Sequence, residues 1–187
     1  MPTLLLALLA LGQTETPAPK PPYIPLYGFN AGTYLPTSAA VRSRFGESWL
    51  SFSPGFGPVL PPPVPRLSSD FNLATQRKTL GGFQNRAFMA SLAAQYQWPL
   101  FQLYVTEGEP FKLPTFLPYV GVSLGGAYAN LRSQADRING SGFAPSGSLY
   151  VGTSIGLRSF LEARWRSVGK VQGFDLSGLD LSVGLRF

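Results

Sequence analysis

The chain contains no cysteine and no histidine. The first absence excludes disulfide cross-links and thiolate metal sites. The second removes the usual general base and the commonest metal ligand together. Glu107, Glu109 and Asp180 have no spacing that suggests a metal site or an acid–base pair. A Ser–Lys pair is the remaining nucleophilic arrangement, and among the few lysines only Lys170 falls beside serines near an expected strand end. No catalytic activity, cofactor or metal is therefore expected. Also missing is any apolar run of about 18 residues, so no helix is expected to span a membrane. Basic residues outnumber acidic ones, for a net charge of +6, but no basic run exceeds Arg77-Lys78. That dispersal does not suit a nucleic-acid surface, and no nucleic-acid partner is expected.

What is present is glycine (21), proline (18) and 13% aromatics, the composition of many short strands joined by tight turns. At the N-terminus, Leu4 to Leu11 is an apolar core and Ala10-x-Gly12 supplies small residues for a signal peptidase. Residues 1–12 therefore read as a signal peptide, although no Lys or Arg precedes the core; the alternative is a mature N-terminal helix. Residues 13–26, with prolines at 17, 19, 21, 22 and 25, read as an extended periplasmic spacer.

From residue 27 to 187, eight segments alternate with period 2. The last is the clearest: Leu179, Leu181, Val183, Leu185 and Phe187 share one face, and Asp180, Ser182, Gly184 and Arg186 share the other. The others are Tyr27 to Leu35, Ser48 to Pro58, Arg66 to Gln76, Phe88 to Trp98, Pro118 to Gly125, Leu149 to Arg158 and Leu161 to Arg166. Pro54 should fray or shorten the second, since proline cannot donate to a ladder. Helical spacing fails throughout, except for a short helix expected over Ser38 to Phe45. Asn139-Gly140 suggests a hairpin tip. The reading is all-β: an eight-stranded antiparallel up-and-down transmembrane β-barrel, since even strand number and segments of about ten residues suit a tilted crossing. With Phe187 at the periplasmic rim, Trp98, Phe116, Tyr119 and Phe160 fall at that same rim, as an aromatic girdle would.

Alternation alone does not separate a membrane barrel from a soluble one. The composition of the polar face does. It joins glycines at 121, 125, 152, 156 and 184 to the charges Glu162, Arg164, Arg166, Asp180 and Arg186. A water-facing surface has no use for those glycines, whereas the crowded interior of an eight-stranded barrel needs small residues beside a few large ones. The polar face is thus assigned to the lumen. Buried charges must pair, so Glu162 and Asp180 are expected to bind neighbours among Arg158, Arg164, Arg166 and Arg186, as a plug rather than an ion path.

The final strand resembles the C-terminal strand of bacterial outer-membrane barrels, and Leu117-Pro-Tyr-Val-Gly-Val-Ser-Leu-Gly-Gly-Ala-Tyr128 resembles a strand common in small ones. Asn85 to Tyr96 is similar to the strand that precedes it there. Over residues 27–187 the chain is similar to the OmpA/OmpX-type outer-membrane barrel superfamily. The departures are a very short sixth turn (Arg158-Ser-Phe160) and a long periplasmic segment from Phe101 to Thr115. The resemblance implies residence in the outer membrane of a Gram-negative-type bacterium. It implies that Leu179, Leu181, Val183, Leu185 and Phe187 are read by the barrel assembly machinery, and it implies a structural or surface-interaction role. The enzymes of this size class depend on histidine, which this chain lacks. A narrow pore for ions or small solutes is the alternative, with a secreted, soluble ligand-binding barrel behind it. The expected partners are outer-membrane lipid and, through Arg42, Arg44, Arg77, Lys78, Arg86, Arg132, Arg137 and Lys170 of the exterior loops, the phosphates of lipopolysaccharide. The protein is expected to be a monomer.

Overall fold

The structure is a computed structural model and describes residues 28–55, 66–100, 116–156 and 158–187. The expected signal peptide and spacer, and the segment 101–115, lie outside the described residues. Eight strands form the wall: β1 (Gly28–Pro36), β2 (Trp49–Gly55), β3 (Arg66–Leu80), β4 (Phe83–Pro99), β5 (Phe116–Ser133), β6 (Ile138–Ile155), β7 (Ser159–Val168) and β10 (Gly178–Arg186). A helix, α1 (Ala39–Phe45), follows β1, and a small hairpin of β8 (Lys170–Val171) and β9 (Phe174–Asp175) separates β7 from β10.

Each wall strand pairs antiparallel with its neighbours in chain order, and β1 pairs with both β2 and β10, so the sheet closes on itself. The first and last strands meet along nine residue pairs, from Gly28–Arg186 to Pro36–Gly178. Closure gives every wall strand a partner on both sides, although the β2–β3 ladder is short. The expected eight-stranded antiparallel barrel is what forms.

The turns follow local chemistry. Gly81 and Gly82 both adopt positive φ between β3 and β4 (57° and 84°), the two-residue geometry that matches strand twist. Gln172 and Gly173 do the same between β8 and β9. The expected tip at Asn139-Gly140 is corrected: the β5–β6 turn is 134–137, with Arg137 at φ 53°, and Asn139 and Gly140 lie within β6. A Cβ at Gly140 would meet the end of the Gln172 side chain of the small hairpin. The expected helix is present, with Ser38 preceding it and Gly46 ending it at φ 106°.

The second strand is described from Trp49 to Gly55, and the rest of its expected extent, 56–58, lies outside the described residues. Its ladder with β3 covers only Leu50 to Phe52, so the missing N–H of Pro54 falls where no β3 partner is paired. Strands β3 to β6 are 15 to 18 residues long against 9 or 10 for β1, β7 and β10, so one side of the wall rises higher.

Candidate functional site

The barrel is apolar outside and polar inside. Leu92, Leu124, Leu149, Leu161, Val183 and Leu185 are each between 47% and 75% exposed. Their strand neighbours Ser91, Ser123, Ser148, Glu162 and Gly184 face inward and are buried. A barrel stable in water has the reverse arrangement, because exposed apolar area costs roughly 25 cal/mol per Å².

Room inside comes from glycine set opposite aromatic residues. Gly121 pairs with Tyr150, Gly152 with Tyr119 and Gly184 with Phe160. In each pair the ring lies where a Cβ on the glycine would stand. Tyr119 and Phe160 are therefore lumen residues, 0% and 1% exposed, and not the girdle aromatics expected from the sequence. Trp98 and Phe116 are exposed on the outer face as expected. Gly156, expected to face the lumen, instead makes the β6–β7 turn at φ 62°.

The centre of the lumen holds a charged network. On β7, Glu162, Arg164 and Arg166 point inward from alternate positions, and all are at least nine-tenths buried. Arg164 Nε donates to Glu162 Oε1 at 2.9 Å, and Arg164 Nη2 lies 2.8 Å from the same oxygen. Its Nη1 donates to Asp70 of β3, and its guanidinium sits 4.3 Å from the Tyr150 ring centroid. Arg166 Nη2 donates to Asp180 Oδ2 at 3.2 Å and Nη1 to Ser91 Oγ at 3.1 Å. Asp180 also accepts from Ser51 Oγ (2.7 Å) and Asn72 Nδ2 (3.3 Å), and Tyr119 donates to Glu162 Oε2 (3.2 Å). Charge-assisted bonds of this kind offset the several kcal/mol that each ion loses on leaving water.

Of the residues expected in this cluster, Glu162, Arg164, Arg166 and Asp180 are brought together. Arg158 is not: it lies in the β6–β7 turn and is exposed, because the strand ends at Ile155 and the turn breaks the alternation. Arg186 pairs its backbone with Gly28 at the barrel end, and its side chain lies outside the described part. Asp70 was missed. Its place on the polar face of β3 was visible, but its bond to β7 exists only once the sheet has closed.

Above the network, toward the α1 end, the lumen is filled by apolar side chains. Val41 and Phe45 of α1, with Val171 and Leu176 near the small hairpin, are at most 3% exposed. They pack against inward alanines at 74, 87, 127, 129 and 144. Small wall residues leave the width that a helix and a hairpin need. Phe45 meets Phe174 edge to face at 5.6 Å, and Arg44 Nε bonds Asp136 Oδ2 at 2.8 Å. Tyr34 OH donates to the Leu176 carbonyl. The interior thus has two layers, one ionic and one apolar. This arrangement fills the interior with paired charges and packed apolar side chains.

Of the expected assembly-signal residues, Leu181, Val183 and Leu185 are exposed on the outer face of β10, and Phe187 is exposed just past its end. Leu179 is partly buried on the same face. Among the described residues no group of three or more His, Cys, Asp or Glu side chains is placed to hold a metal ion.

No protein-family model matches the chain, and no curated protein does. Among solved structures, the crystal structure of Neisserial surface protein A (NspA) is similar, with a TM-score of 0.49 and 14% identity over 86% of this chain and 96% of that one.

Proposed function

We propose that this chain is a bacterial outer-membrane β-barrel protein with a structural or surface-interaction role and no catalytic activity. One observation carries the reading: the outer wall is apolar all round the barrel while buried charges pair inside it. A hydrocarbon phase is the solvent that rewards this distribution, since it satisfies the outer wall, and a closed barrel is one of the two architectures that can span it. The end bearing α1 and the small hairpin faces the cell exterior, and the end bearing Phe187 faces the periplasm. Leu179 to Phe187 act as the segment recognised during assembly, and the folded protein is a monomer. The two-layered filling of the lumen supports a closed barrel over a pore.

Two measurements test this. The intact protein in the membrane fraction should migrate differently on a gel before and after boiling, and a chain absent from that fraction is not a membrane barrel. Single cysteines at Ala163 and Arg164, readily interpreted in a chain without native cysteine, should respond oppositely. Position 163 should be quenched by lipid-borne probes and position 164 should not. The reverse pattern would make this a water-soluble barrel.

A further inference from the structure

Three arginines stand in one row across adjacent strands. Arg77 of β3 lies directly opposite Arg86 of β4, and Arg86 lies directly opposite Arg132 of β5. All three side chains are exposed on the outer face. Like charges directly opposite on a sheet repel and cost stability. Among the described residues, no carboxylate is within ion-pair distance of any of the three. The internal relief is Gln84 Oε1, which accepts from Arg77 Nη2 at 3.2 Å and from Arg86 Nη2 at 3.3 Å.

Three other basic groups at this end are already engaged. Arg44 is paired with Asp136, Arg42 donates to the Pro36 and Thr37 carbonyls, and Lys78 donates to the Ser43 carbonyl. The row is different: it is aligned, outward and uncompensated. Its height is also defined. One step down the same face from Arg86 is Phe88, and two steps down from Arg132 is Tyr128, whose ring lies 5.0 Å from that of Phe143. Phe143 is 84% exposed, and Leu92 and Leu124 continue the apolar surface below. Aromatic residues concentrate at the level of lipid headgroups, so the arginines stand just beyond that level, where headgroup phosphates lie.

We propose that Arg77, Arg86 and Arg132 clamp the phosphates of an outer-leaflet lipid headgroup whose acyl chains run down the aromatic and leucine surface below. The inference rests on the membrane reading above. Strand spacing of about 4.8 Å spreads the three guanidinium groups over roughly 10 Å, wide enough to engage more than one phosphate through forked N–H pairs. A lipid, and not a free anion, is the occupant because charge complementarity and apolar seat adjoin. An anion held by exposed charges alone would be lost to salt screening.

The test uses the full folded barrel in neutral detergent. The probes are bisphosphorylated lipid A, the same lipid with its phosphates removed, and inorganic phosphate, with binding read by native mass spectrometry. The R77Q/R86Q/R132Q variant should bind lipid A at least about tenfold more weakly than the unmodified barrel, a loss of ~1.4 kcal/mol. The R42Q/R137Q/K170Q variant, which removes the same charge elsewhere in the loops, should bind as the unmodified barrel does. Both must keep heat-modifiable migration. A further readout does not depend on ligand: without lipid, R86Q should raise the melting temperature by relieving repulsion in the row. Equal affinity for phosphorylated and dephosphorylated lipid, equal loss in both triple variants, or inorganic phosphate binding as tightly as lipid A would each overturn the clamp while leaving the membrane reading intact. Absence of the unmodified chain from the membrane fraction would overturn the membrane reading itself.

Discussion

Arg164 and Asp70 bond across the full width of the barrel. Arg164 is on β7 and Asp70 on β3, and these strands are four apart whichever way the wall is followed. The bond is therefore a strut through the lumen, and both ends are at least nine-tenths buried. Replacing Arg164 with leucine leaves Glu162 without its cation and Asp70 with only Arg166 at 3.8 Å. The barrel should lose about 3–5 kcal/mol in urea unfolding followed by gel mobility, the usual cost of breaking a buried pair. Asp70→Asn should cost less, because Glu162 still balances the guanidinium. The double substitution should cost less than the sum of the singles, and strict additivity would mean the strut carries nothing.

The glycine–ring pairs predict a reciprocal rescue. Gly121→Ala drives a methyl group into the Tyr150 ring, and overpacking of this kind costs roughly 1–3 kcal/mol. Combining it with Tyr150→Leu should recover part of that loss. If Gly121→Ala is silent alone, the ring moves freely and the lumen is looser than described.

Conductance should be negligible in planar bilayers. The ionic layer and the apolar layer block the lumen in series, so opening either alone should change little. Removing both, with Arg164→Gln and Arg166→Gln in one layer and Val41→Ala and Phe45→Ala in the other, should give a measurable leak. A large ohmic current from the unmodified protein would refute the closed reading.

The small hairpin should respond to acid. The Ser177 hydroxyl and N–H hold the Asp175 carboxyl below its usual value, with the N–H to Oδ1 distance at 2.9 Å. A carboxyl that titrates lower in the folded state stabilises that state above its ordinary range, and the contribution disappears as pH falls through the lowered value. The protection of the Ser177 N–H, measured as its exchange rate relative to the intrinsic rate at each pH, should therefore fall at low pH. In Ser177→Ala, an NMR titration of Asp175 should shift upward toward 3.8, the ordinary value.

The sequence revealed the closed wall and its polarity wherever the two faces contrast in one sense. It revealed β4 only from Phe88 onward because the pattern inverts there. Below that point Leu92 faces out while Ser91 and Gln95 face in; above it Arg86 faces out while Ala87 and Met89 face in. On the membrane reading the change follows the surroundings, hydrocarbon outside and charge inside giving way to water outside and an apolar filling inside. A search for one unbroken alternation stops at such a crossover, which is why β3 to β6 looked short. Glu162 and Asp180 found partners among their expected neighbours because β7 and β10 adjoin in chain order. Asp70 did not figure in the cluster because its partner lies across a closed ring, a relation with no local signature.

The unequal wall has a consequence for how the molecule meets its surroundings. Eight equal strands would present a nearly uniform rim on every side. Here β3 to β6 stand up as a parapet on one side, bearing the arginine row, while β1, β7 and β10 end low. The protein therefore has a front and a back about the barrel axis. A neighbouring molecule approaching from one direction meets a tall, basic screen, and one approaching from the other meets a lower rim that carries α1 and the β8–β9 hairpin.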